Sequence, residues 1–104
     1  MSQQVCLRFY MHENRKLHSI LLYDWLLENA RKNDVHGGSA FRAIAGYGRH
    51  GNLHEQHFYE LAGELPVVVE FLLTSDEADA MIARLRNEKV NVFYTRVAAE
   101  FGVL

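Results

Sequence analysis

The run Pro66-Val67-Val68-Val69-Glu70-Phe71-Leu72-Leu73 carries a single charge and leads directly into Thr74-Ser75-Asp76-Glu77. A short, β-branched, apolar run predicts a strand, and proline is tolerated at its first position because no ladder N–H is needed there. A threonine followed three residues later by glutamate is a capping box, which opens a helix. Ala78, Met81, Ile82 and Leu85 continue that helix at helical spacing. Within the strand, Val67, Val69 and Phe71 point one way and Val68 and Leu72 the other, so it is apolar on both faces. A chain built on this unit needs a sheet covered by helices on one side and something apolar against the other.

The rest of the chain supplies matching parts. Val5 to Tyr10 predicts a first strand, and Met11 to Lys16 a polar loop. His18 to Lys32 predicts a helix: Ile20, Tyr23, Leu27 and Ala30 share a face with Leu22 and Leu26, Arg31 and Lys32 suit its last turn, and Gly37-Gly38 stop it. Leu17, Leu21 and Trp25 form a second stripe, either cover for a loop or a contact with another chain. Ser39 to Tyr47 predicts a second strand, Gly48 to Leu61 a long loop or an extended excursion, and Val92 to Glu100 a last strand. The order is βαββαβ, the split-βαβ or ferredoxin-like α+β sandwich: an antiparallel four-stranded sheet with both helices on one face. With 104 residues, of which 49% are hydrophobic, the chain forms a single domain spanning residues 1–104 with one modest core.

Two helices cover one face of such a sheet, and the other is polar if it meets water. Here Val68 and Leu72 lie on it. In the second strand Phe41, Ala43, Ala45 and Tyr47 fall on one side and Ile44 on the other, and in the first strand Cys6 and Tyr10 oppose Val5, Leu7 and Phe9. An apolar open face marks an interface, so sheets from several copies are expected to pack together. The net charge of −2 argues against nucleic acid as a partner, which usually selects a basic excess. The lone Cys6 forms no intramolecular disulfide, and neither a signal peptide nor a spanning segment is evident, so a cytoplasmic location is expected.

Chemistry is expected around the glycine-punctuated stretch Gly37 to Gly51. Gly38, Gly46, Gly48 and Gly51 permit close backbone approach, and Arg49 and His50 lie between the last two. A basic residue at such a turn suits an anion. By itself the pattern also fits an ordinary turn between strands.

The run Gly37-Gly38-Ser39-Ala40-Phe41-Arg42-Ala43-Ile44-Ala45-Gly46-Tyr47-Gly48-Arg49-His50-Gly51 resembles the segment that leads into the T-loop of the nitrogen-regulatory PII proteins. With Leu65 to Glu70 downstream, it resembles most closely a short PII-like branch classed as a domain of unknown function. That resemblance implies a PII-like homotrimer with ligand sites between subunits, Ser39 and Ala40 near a base or ribose, and Gly48, Arg49 and His50 near phosphates. It implies an adenine nucleotide (AMP, ADP or ATP) as effector, a regulatory role without catalysis, and a partner protein such as a membrane transporter or enzyme reached through the T-loop. The ligand-binding set is then Gly38, Ser39, Ala40, Gly46, Gly48, Arg49, His50 and Gly51. The chain departs from the family at Arg86-Asn87-Glu88-Lys89, where PII proteins carry a glycine-flanked turn. Arg96 alone answers their arginine-rich end, and only Tyr59 falls near the T-loop tyrosine.

Two other readings compete. His50, His54 and His57 form a spacing that suits a transition metal, as in a trimeric CutA-like protein. A small ferredoxin-like enzyme would draw on His12 and His36, although no nucleophile elbow, P-loop or HExxH motif is present.

Overall fold

The structure, a computed structural model, describes residues 3–46 and 65–104. Strands β1 (Gln4–His12), β4 (Gly38–Arg42), β5 (Pro66–Thr74) and β6 (Phe93–Ala98) form one sheet in the order β4-β5-β1-β6. Every neighbouring pair in it is antiparallel. Strands β2 (Lys16–Leu17) and β3 (Ile20–Leu21) form a small hairpin before helix α1 (Leu22–Lys32). Helix α2 (Ser75–Asn87) joins β5 to β6. This is the ferredoxin-like sandwich expected from the βαββαβ order, with β1 and β5 at the centre.

Alternation decides what each face meets. Val5, Leu7, Phe9 and Met11 of β1 and Val67, Val69, Phe71 and Leu73 of β5 point toward the helices. They pack against Leu22, Leu26 and Ala30 of α1 and Ala78, Met81 and Leu85 of α2. Each large side chain buried this way contributes about 1.5–3 kcal/mol. The capping box forms as expected: Glu77 N–H donates to Thr74 Oγ1 and Thr74 N–H to Glu77 Oε1.

Three boundaries differ from the sequence reading. β1 runs on through Met11 and His12, where a loop was expected, because both residues still pair with β5. α1 begins at Leu22 rather than His18, since His18 and Ser19 take the left-handed conformation (φ 53° and 69°) as the two-residue turn of the β2–β3 hairpin. That turn normally selects Asn-Gly, so the residues gave no signal. β4 ends at Arg42 and the chain bends at Ile44 and Ala45, while Tyr47 lies outside the described residues. Leu17 and Trp25, of the second stripe, rest partly buried against the core.

Both helices stop by the same device. Asp34 (φ 63°) and Lys89 (φ 57°) occupy the left-handed position after α1 and α2. Val35 N–H then donates to Ala30 O, and Val90 N–H to Leu85 O. These are Schellman turns with a hydrophobic residue closing each one. α1 is therefore stopped at Asp34, before Gly37 and Gly38 are reached.

Candidate functional site

The residues just after β4 and just before β5 are tied together. Ala43 N–H donates to Pro66 O at 2.8 Å and Glu13 N–H to Leu65 O at 3.0 Å. Arg42 Nε donates to Glu13 Oε2 at 2.8 Å, with the carboxylate largely shielded and the guanidinium exposed. These contacts tie the exit of β4 to the entry of β5. Of the residues predicted to bind a ligand, Gly48, Arg49, His50 and Gly51 lie outside the described residues. So do His54, His57 and Tyr59.

The remaining members fall into place differently from one another. Ser39 faces the open side of the sheet opposite Glu70, while Ala40 lies on the helix side opposite Val69. Both are exposed, as are all five residues of β4, which is an edge strand among the described residues. Gly46 is not sterically required, for a Cβ there would stand 3.8 Å from Pro66 Cγ. Gly38 is: its Cβ would lie 2.5 and 2.7 Å from Phe71 ring carbons and 3.1 Å from Leu27 Cδ2. Core packing gives this glycine a role that needs no ligand.

The second region that the family resemblance pointed to is the turn after α2. Its carbonyls are satisfied from within, Glu88 N–H donating to Arg84 O and Lys89 N–H to Arg86 O. Between α2 and β6 a crevice of about 120 Å³ is lined by Phe9, Ile82, Leu85, Arg86, Asn91 and Tyr94. Arg96 does not reach it as a free cation. Its guanidinium donates to Asp79 Oδ1 at 2.7 Å and to Ser75 Oγ at 2.6 Å, pinning β6 to the start of α2.

The open face of the sheet is ordered into rows across the strands. Phe41, Val68, Tyr10 and Phe93 form one row, and Leu72, Cys6 and Val97 another. Between them lies a polar row of Ser39, Glu70, Arg8 and Thr95. Arg8 donates to Glu70 Oε1 from Nε at 2.9 Å and Nη2 at 2.8 Å. The Cys6 thiol donates to the same oxygen at 3.6 Å. Burial, and then the negative charge of Glu70, push that thiol's pKa up, which favours the protonated form. Phe41, Phe93 and Val97 remain about half exposed, at 53%, 50% and 55%. No sequence signal beyond alternation could have shown the polar row, because it depends on pairing register.

His12 and His36 are not brought together. His12 pairs with Pro66 at one end of the sheet, whereas Gly38, two residues after His36, pairs with Phe71. At ~3.3 Å per residue, the β5 positions they lead to, Pro66 and Phe71, are roughly 17 Å apart along the strand. Among the described residues no three His, Cys, Asp or Glu side chains converge as metal ligands. Among the same residues no helix is long and apolar enough to cross a membrane.

Comparison with known proteins agrees with this architecture. The family DUF190, described as Uncharacterized ACR, COG1993, matches residues 4–99. A UPF0166 protein of Aquifex aeolicus is 29% identical over 82 residues, covering 79% of this chain and 78% of that protein. A UPF0166 protein of Methanocaldococcus jannaschii is 24% identical over 79 residues, covering 76% and 72%. Among solved structures, CPII, a nitrogen regulatory PII-like protein from Thiomonas intermedia K12 bound to ADP, AMP and bicarbonate, superposes with a TM-score of 0.56 at 9% identity over 96% of each chain. The fold is that of a PII-like protein.

Proposed function

Because the chain belongs to the DUF190 family, whose match spans residues 4–99, we propose that it is a PII-like regulatory protein rather than an enzyme. Copies associate through their open sheet faces into a homotrimer in the cytoplasm. A small effector, an adenine nucleotide, binds in the clefts between subunits at the base of the segment after β4. Gly48, Arg49, His50 and Gly51 approach its phosphates, with Ser39 and Ala40 on the adjoining edge strand. Occupancy is passed through that segment to a partner transporter or enzyme.

The open face carries this reading. Apolar rows flanking an internally paired polar row form a surface that another copy can cover without stranding a charge, since Arg8 and Glu70 already neutralise one another. A PII-like protein of the same fold and length was solved with ADP, AMP and bicarbonate, which supports the choice of effectors.

Isothermal calorimetry against AMP, ADP, ATP and bicarbonate tests the sensor. Binding of an adenine nucleotide should weaken by ~1.5–3 kcal/mol in Arg49→Ala, the range for a hydrogen bond to a charged group. Absence of heat from all four compounds would sink the proposal. Light scattering tests the assembly separately. The wild type should run as a trimer and a Phe93→Asp, Val97→Asp double variant as a single chain; a monomeric wild type would refute it.

A further inference from the structure

On the side of the molecule away from the open face, a cleft of about 380 Å³ lies between the middle of α1 and the end of α2. Trp25 and Asn29 line it from α1, and Ala83, Arg84 and Asn87 from α2, with Glu88 at its rim. Its volume lies within the range of small-molecule sites. Arg84 is half-buried and donates Nε to Asn29 Oδ1 at 2.7 Å, a neutral acceptor. Among the described residues it makes no ion pair.

The carboxylate at this rim is turned elsewhere. Glu88 Oε2 accepts from His18 Nε2 at 2.6 Å. His18 is held there by the β2–β3 turn, in which two consecutive residues that are not glycine take positive φ. Backbone strain of this kind is retained where the surroundings impose it and is a pointer to function. Its local effect is to engage Glu88 and leave the guanidinium of Arg84, in the cleft it shares with Trp25, without a counter-charge among the described residues. Asn87 and the amide nitrogen of Asn29 add neutral donors.

We propose that this cleft binds a small planar organic anion, a ring bearing a carboxylate or a phosphate. The ring lies along Trp25 and the head group meets Arg84, Asn29 and Asn87. The site lies within one subunit, and on the helix side it stays open to solvent when open sheet faces pack together. It is therefore independent of the effector site proposed above.

Trp25 is the chain's one tryptophan, so its emission reports on this cleft alone. Benzoate, phenyl phosphate and the neutral benzyl alcohol serve as probes on the full chain. At least one of the two anions should change the emission saturably in the millimolar range, and benzyl alcohol should not. The more potent anion identifies the preferred head group. Arg84→Met should weaken the response by about tenfold or more. His18→Asn suits the turn better and releases Glu88 toward Arg84, so it should weaken binding several-fold without lowering the melting temperature. No saturable response to either anion, an equal response to benzyl alcohol, or unchanged affinity in Arg84→Met would overturn the proposal. Should Arg84→Met fail to fold, unchanged affinity in His18→Asn overturns it instead. Arg49→Ala should leave this response intact, which separates the cleft from the nucleotide site.

Discussion

Replacing Gly38 with alanine distinguishes a packing glycine from a ligand-binding one. The new Cβ would stand 2.5 Å from Phe71 Cε1 and 2.7 Å from Cδ1, with Leu27 Cδ2 at 3.1 Å. Carbon atoms normally approach to about 3.5–4.0 Å, so the ring must give by about 1 Å. It has little room: Phe71 is 1% exposed and meets Phe9 edge-on, with ring centroids 6.3 Å apart. Overpacking of this sort costs about 1–3 kcal/mol. Against it stands the reduced freedom of the unfolded chain, worth about 0.4–1 kcal/mol, which applies because Gly38 has no positive φ. The net expectation is a loss of about 1–2 kcal/mol, read as a lower urea midpoint at fixed protomer concentration. In a Phe71→Leu background the clash is relieved, so the two losses should fall short of additivity by about 1 kcal/mol. A neutral or stabilising Gly38→Ala, or strict additivity in the cycle, would refute the packing account.

Other consequences are as direct. Thr74→Ala removes the acceptor at the start of α2 and should cost about 1 kcal/mol in the same urea assay. Ser19→Gly relieves a residue held at φ 69° and should raise stability by about 1 kcal/mol, seen as a higher melting temperature. Cys6 has its pKa raised in the folded protein by burial and by Glu70, so folding favours the protonated thiol. Its contribution is complete below the unfolded thiol pKa and is lost as pH rises from there through the folded pKa. Stability should therefore fall more steeply in mildly alkaline buffer in the wild type than in Cys6→Ser, and a disulfide reagent should label Cys6 much faster in urea than in the native state.

The parts of the fold legible in the sequence were those with a local physical cause. Pro66 to Leu73 and the Thr74–Glu77 box announced β5 and α2 through β-branching, alternation and a side chain matched to an orphan N–H. The β2–β3 hairpin was hidden because Leu17, Ile20 and Leu21 continue the spacing of α1 and His18-Ser19 carries no turn signature. The ends of both helices were hidden for the same reason: Asp34 and Lys89 occupy positions where glycine is expected. At the site, motif spacing marked the stretch around β4 but not what each glycine does there. Gly38 answers to Phe71, which lies far along the chain and meets it only through strand pairing. The engagement of Arg96 by Ser75 and Asp79 was equally out of reach, since it depends on how β6 lies against α2.

The hydrogen bond between Ala43 and Pro66 has an evolutionary consequence. Because Ala43 and Pro66 are bonded to one another, the ends of the stretch between them are held close by the scaffold whatever that stretch contains. Doubling the length of a flexible connection adds only about 0.6 kcal/mol of closure entropy. A change of length there should therefore cost little to the core of the described residues, whose packing draws on β1, β5 and the two helices. Selection can thus redraw the residues between these two points as it would a grafted cassette while one scaffold is retained across lineages.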